Sequence, residues 1–225
     1  GAGDADAELD TAIRQIVSEN MTGTGMVDIY AEAGIANPDI SLIDEAFVDQ
    51  ITKSKRPNLQ MEALKRLLAS EIKAIAKRNV VKGREFSEML SDSLLRYQNR
   101  SLDTAAVVAE LVRLAQVLKA EHERGEATGL SEDELAFYDA LRSNEAAKEA
   151  MKDETLRAIA LDLTQIVRRD AKTDWDKKEQ VRAKLRTTIK VLLLKHGYPP
   201  DKAQSATDLI LKQAEVMGEN VEDER

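Results

Sequence analysis

An all-α fold of about nine or ten helices, with no substantial sheet, is what this sequence predicts, on three observations. Glycine (10 of 225 residues), proline (4) and aromatic residues (4%) are scarce. Ala, Leu, Lys, Glu and Arg dominate instead, a mix that favours helix. Apolar residues recur at steps of three and four, the spacing of one helix face, and no segment alternates with the period of two that a half-buried strand needs.

Taken in order, residues 6–20 read as a first helix with Leu9, Ile13, Ile16 and Val17 inward. TGTGM (22–26) is a loop. Gly23 and Gly25 are not followed by the Gly-Lys-Ser/Thr of a phosphate loop, so they read as a plain turn. Residues 27–34 form a short helix ended by Gly34, Pro38 forces a turn, and Ser41 with Asp44 resembles the cap of a helix through Phe47, Val48 and Ile51. TKSKRPN (52–58), polar, basic and broken by Pro57, is the best internal boundary, and Asn58 is placed to cap a helix over 59–78. Leu64, Leu68, Ile72 and Ile75 face one way there, with Leu67 adjacent.

Asn79, Lys82 and Gly83 then break that helix just ahead of the central one, in the stretch 79–100. Phe86, Leu90, Leu94 and Tyr97, with Met89 beside them, make its apolar face. Val107, Val108, Leu111, Leu114, Val117 and Leu118 stripe a long helix over about 102–124, which Gly125 can terminate before a loop at 123–130. Ser131 with Glu134 matches a capping box, which makes Glu132-Asp133-Glu134 a first-turn complement to the helix dipole rather than a metal site. Further helices follow at 132–143 (Leu135, Phe137, Tyr138, Leu141), 145–151 and 153–170 (Leu156, Ile159, Leu163, Ile166, Val167). Thr173 or Asp174 caps a helix running to His196, with Val181, Leu185, Ile189 and Leu192 as its apolar stripe. Arg182, Arg186 and Lys190 form a second stripe, turned by about 100°. Gly197 and Pro199-Pro200 end it, a last helix spans 201–217, and residues 218–225 read as a mobile acidic tail. At the other end, residues 1–10 read as a cloning scar and frayed start.

The net charge of −8 conceals segregation. Residues 1–52 hold one base and 11 acids, residues 53–100 hold 12 bases and five acids, and residues 166–195 hold ten bases and four acids. Two readings stand: basic segments gathered on one face that binds phosphate, or charges that merely line solvated helices. Without cysteine there is no disulfide framework, thiolate zinc site or thiol nucleophile. No 18-residue apolar run or signal-like start occurs, which predicts a cytoplasmic chain with no membrane partner. His122 and His196 lie far apart and near helix ends, and no second histidine stands four residues from His122 to complete a zinc-protease helix. Trp175, in the first turn of its helix, reads as a core anchor rather than a stacking platform for bases. No Gly-x-Ser-x-Gly elbow is present.

Several phrases, in one order, carry a resemblance: AIRQIVSENM (12–21), VDIYAEAGIANPDISLIDEAF (27–47), RNVVKGREFSEMLSDSLLRYQNR (78–100), LSEDELAFYDAL (130–141) and VRAKLRTTIKVLLLKHGYPPDK (181–202). Together they resemble the C-terminal helical region of the motor (restriction) subunit of type I restriction-modification enzymes, over a domain spanning 11–217. The resemblance implies docking on a core of modification and specificity subunits, with contact to duplex DNA, in support of ATP-dependent translocation. The parent enzyme is expected to use ATP and Mg²⁺. Its phosphate loop and nuclease motifs are absent here, so the resemblance implies no catalytic residue, metal or cofactor in this chain; a purely protein-binding scaffold is the alternative. The candidate DNA contacts are Lys73, Lys77, Arg78, Lys82, Arg84, Arg96, Arg100, Arg168, Arg169, Arg182, Arg186 and Lys190. They would hold phosphates without reading sequence.

Overall fold

A computed structural model describes residues 57–170 and 178–223. They form eight α-helices: α1 (Pro57–Ala76), α2 (Val80–Gln98), α3 (Thr104–Thr128), α4 (Glu132–Arg142), α5 (Glu145–Ala150), α6 (Asp153–Asp170), α7 (Lys178–Lys195) and α8 (Ala203–Asp223). No strand occurs among the described residues. The elements expected before residue 57, the Thr173/Asp174 cap and Trp175 lie outside them. No helix of the described residues is long and apolar enough to cross a membrane.

The chain divides into two compact units: Gly1–Lys73 with Glu85–Glu123, and Ala74–Arg84 with Arg124–Arg225. In the first, α1 buries Leu64, Leu67, Leu68 and Ile72, α2 buries Phe86, Leu90 and Leu94, and α3 buries Val107, Val108, Leu111, Leu114 and Leu118. These are the stripes that the three-and-four spacing predicts, except that Ile75 and Tyr97 are only half-buried and Val117 and Met89 face outward, 47% and 51% exposed. The Thr104 hydroxyl reaches Asn58 (3.4 Å) and His122 reaches Glu71 (3.6 Å), so α3 and α1 run in the same direction. Arg96 on α2 meets Glu110 on α3 (2.9 Å) beside the turn that reverses the chain between them.

In the second unit α4 packs against α6 and α8, while α7 lies against α8 and α6. One continuous core joins Leu135, Phe137 and Leu141 of α4, Leu156, Ile159 and Leu163 of α6, Leu185, Ile189 and Leu193 of α7, and Ile210 and Ala214 of α8. Tyr198, just past α7, is 1% exposed in that core.

Four boundaries differ from the sequence reading. Asn58 does not cap the first helix: Pro57 already occupies its first turn, where proline's missing N–H costs nothing. Lys82 and Gly83 do not break a helix but lie in α2, and only Lys77–Asn79 are non-helical. Gly83 is there for closeness, since a Cβ on it would fall 2.5 Å from both Cα and Cβ of Ala76. Gly125 does not end α3, and most of the expected 123–130 loop is helix. The turn comes at Gly129, whose positive φ of 68° suits glycine and whose N–H reaches the Gly125 carbonyl at 3.0 Å. Finally, α8 continues beyond 217 to Asp223.

The capping box at α4 forms as its spacing predicts, with the Ser131 side chain accepting from the Glu134 N–H and Glu134 accepting from the Ser131 N–H. Helix α7 ends where Gly197 takes a φ of 74° and the Tyr198 N–H bonds back to Leu193.

Candidate functional site

The expected DNA-contacting side chains divide by what holds them. Arg78 donates to both carboxylate oxygens of Glu132 (2.8 and 2.9 Å), and Arg168 donates to Asp133 (2.8 Å). The acids that open α4 are thus gripped by arginines from two other segments. Arg96 pairs with Glu110 on α3. Arg182 meets Glu215 at 2.6 Å and Arg186 meets Asp208 at 3.1 Å, so the basic stripe of α7 lies against an acidic one on α8. The earlier arginine, Arg182, meets the later acid, Glu215, and the later one, Arg186, meets the earlier, Asp208, so α7 and α8 run antiparallel.

The rest sit in exposed or half-buried positions. Lys73 and Lys190 are exposed. Lys77, Arg84 and Arg169 are exposed as well, Lys82 is half-buried, and each of these four makes further contacts. Arg100 is exposed at a φ of 56°, the left-handed position that closes α2. Within the second unit Arg78 and Arg168 come together at the start of α4, whereas Arg78 and the α7 stripe lie on different sides of α8. Gln213 of α8 binds the 78–80 turn, whereas Glu215, two positions on and about 200° around the helix, binds Arg182. Helix α8 therefore stands between Arg78 and the α7 stripe.

A polar constellation that sequence spacing does not reveal surrounds this turn. Asn79 caps α2, its Oδ1 accepting from the Lys82 N–H (3.0 Å), and its amide donates to Asp139 at 2.7 Å. Asp139 is 6% exposed and also accepts from Arg124. Gln213, 1% exposed, accepts from the Val80 N–H (2.9 Å) and donates to the Arg78 carbonyl (2.7 Å). One glutamine side chain thereby satisfies a donor and an acceptor left open where α1 ends and α2 begins.

A second cluster ties α4 to α6. Tyr138 donates to Asp153 and accepts from Arg142 (2.9 Å), while Arg157 reaches both Asp153 (2.7 Å) and the Thr128 carbonyl (2.9 Å). Both guanidinium groups lie within 5.6 Å of the Tyr138 ring centre. Burial raises the pKa of Tyr138, with the Asp153 hydrogen bond adding to it. The hydrogen bonds from Tyr138 and then Arg157 lower that of Asp153. His196 lies 3.5 Å from Asp162. Among the described residues, no three His, Asp or Glu side chains gather into a set that could hold a metal ion. What these groups do chemically is bind helix to helix.

The family model for the C-terminal region of type I restriction enzyme HindI endonuclease subunit-like proteins matches residues 1–220. The chain is 34% identical, over 95% of its length, to the type I restriction enzyme HindI endonuclease subunit of Haemophilus influenzae. It is 28% identical, over 84% of its length, to a Methanocaldococcus jannaschii protein provisionally named as the type I restriction enzyme MjaIXP endonuclease subunit. It spans 20% and 18% of those two proteins. No solved structure matches it significantly.

Proposed function

Because the chain belongs to the family of C-terminal regions of HindI-like type I restriction endonuclease subunits, we propose that it is a non-catalytic helical module that docks this subunit on the modification and specificity subunits. The observation that carries the reading is how the polar groups of the second unit are used. The buried carboxylate of Asp139, the Gln213 amide and the arginines around α4 are committed to bonds between helices, leaving outer helix faces as the working surfaces. ATP and Mg²⁺ are assigned to the rest of the enzyme.

Contact with duplex DNA is the second part of the proposal. It is favoured by the excess of 12 bases over five acids in residues 53–100, including the exposed Lys73 and Arg100. Size-exclusion chromatography of the chain with purified modification and specificity subunits tests docking: co-elution is expected, and separate elution at micromolar concentration overturns it. The chain by itself is expected neither to hydrolyse ATP nor to cut DNA. DNA-stimulated ATP turnover abolished by a substitution within the chain would refute the non-catalytic assignment.

A further inference from the structure

Helix α7 is apolar on two sides. Leu185, Ile189 and Leu193 face the core, none more than 1% exposed. On the opposite side Thr187, Val191 and Leu194 follow one another at steps of four and three, with Val191 61% and Leu194 45% exposed. Thr187 belongs to this strip because its hydroxyl bonds back to the Ala183 carbonyl (3.1 Å), leaving its methyl group as the outward feature. A four-three step is the seam by which one helix receives another, and the positions beside the seam select the partner by charge. Those positions are lysines: Lys190 on one edge, Lys195 and Lys184 on the other, all exposed and without an ion pair among the described residues.

We infer that the outer face of α7 is the docking seam for an acid-flanked amphipathic helix of a partner subunit. The inference rests on the docking reading above and adds the surface and the chemistry of what it receives. The cation rows require glutamate or aspartate beside the partner's apolar stripe, since a lysine-flanked helix would place like charges together. Duplex DNA is the poorer occupant, because Val191 and Leu194 would be pressed against phosphates and gain nothing. Arg182 and Arg186, held by Glu215 and Asp208, stand outside the seam.

The test places a photo-crosslinking residue at Thr187 in the full chain and assembles it with the modification and specificity subunits and duplex DNA. Crosslinks are expected in one helix of a partner subunit bearing acidic residues beside an apolar stripe. In parallel, Lys190→Glu with Lys195→Glu should weaken assembly at least tenfold at low salt while the helical spectrum is kept. Assembly without a protein crosslink, a crosslink to DNA, or full affinity in the double variant overturns the seam and leaves docking standing. Failure of the unsubstituted chain to assemble overturns docking itself and the seam with it.

Discussion

Gln213 reaches across more than 130 residues of sequence to bond the Val80 N–H and the Arg78 carbonyl, and no local pattern announces it. Replacing it with leucine keeps the bulk but strands both groups in a part-buried turn. The expected cost is about 1–3 kcal/mol for each buried group left unpaired, read as a lower urea midpoint. A midpoint within error of the parent would mean that water replaces the amide. Tyr198 makes a pH prediction. Burial pushes its pKa up to about 12, from an ordinary value of 10.0, and its hydroxyl donates to the Leu141 carbonyl at 3.1 Å. A folded pKa above the unfolded one means that the unfolded chain loses its proton first as pH rises. The stabilisation is thus complete below about pH 10 and is lost towards pH 12. Chemical denaturation across that window should show the parent weakening more steeply than Tyr198→Phe. The variant keeps a residual slope from Tyr138, whose pKa is also raised. Parallel slopes would show that the Tyr198 hydroxyl is not shielded. Of the residue-scale design, the sequence marks the Ser131–Glu134 box, because both partners lie within one turn. Asn79 with Asp139, and Gln213, escape notice because their partners are set by packing.

At the scale of the element, apolar period decides most of what forms. Phe86, Leu90 and Leu94 recur on one face of α2 and all three are buried, as the spacing predicts. Leu90→Ala should cost about 2–5 kcal/mol, whereas Met89→Ala, at a position 51% exposed, should change stability little. Equal effects at both positions would mean that the buried face has been misassigned. Gly83 shows where period and propensity stop being sufficient. In isolation a mid-helix glycine reads as a break, and alanine there would gain about 1 kcal/mol of helix propensity. Its Cβ would instead land 2.5 Å from backbone and side-chain atoms of Ala76, so Gly83→Ala should destabilise despite that gain. A stabilised variant would show that the ends of α1 and α2 can part at little cost. Gly125 is the contrasting case: a Cβ there meets nothing nearer than 3.6 Å, and the helix runs through it. The same residue type breaks, spaces or fills a helix according to what faces it, and that lies outside the local sequence.

Across the molecule, charge is the property that composition describes least faithfully. Residues 166–195 hold ten bases and four acids, yet Arg168, Arg182 and Arg186 each meet a carboxylate from another helix. The segregation seen along the chain is partly cancelled in space. Exposed pairs of this kind are worth only about 0–1 kcal/mol, so Arg182→Glu is a poor probe of DNA contact: it also sets a glutamate against Glu215. The lysines without such partners among the described residues are the cleaner probe, and Lys73 and Lys190 are the two among the expected contacts. If DNA contact is real, binding to duplexes of unrelated sequence should be equally weak and should fall with salt. Each lost phosphate contact should then lower the slope of log affinity against log salt by about 0.9. Lys73→Ala should therefore reduce the slope by one contact while leaving the thermal melt intact. Lys190→Ala should do so only if α7 reaches the duplex, and an unchanged slope there is what a protein-receiving seam requires. Absence of binding at low salt would remove the nucleic-acid half of the proposed function. The remaining long-range field of a chain at −8 acts in that direction, since it opposes the approach of a polyanion to any isolated cation.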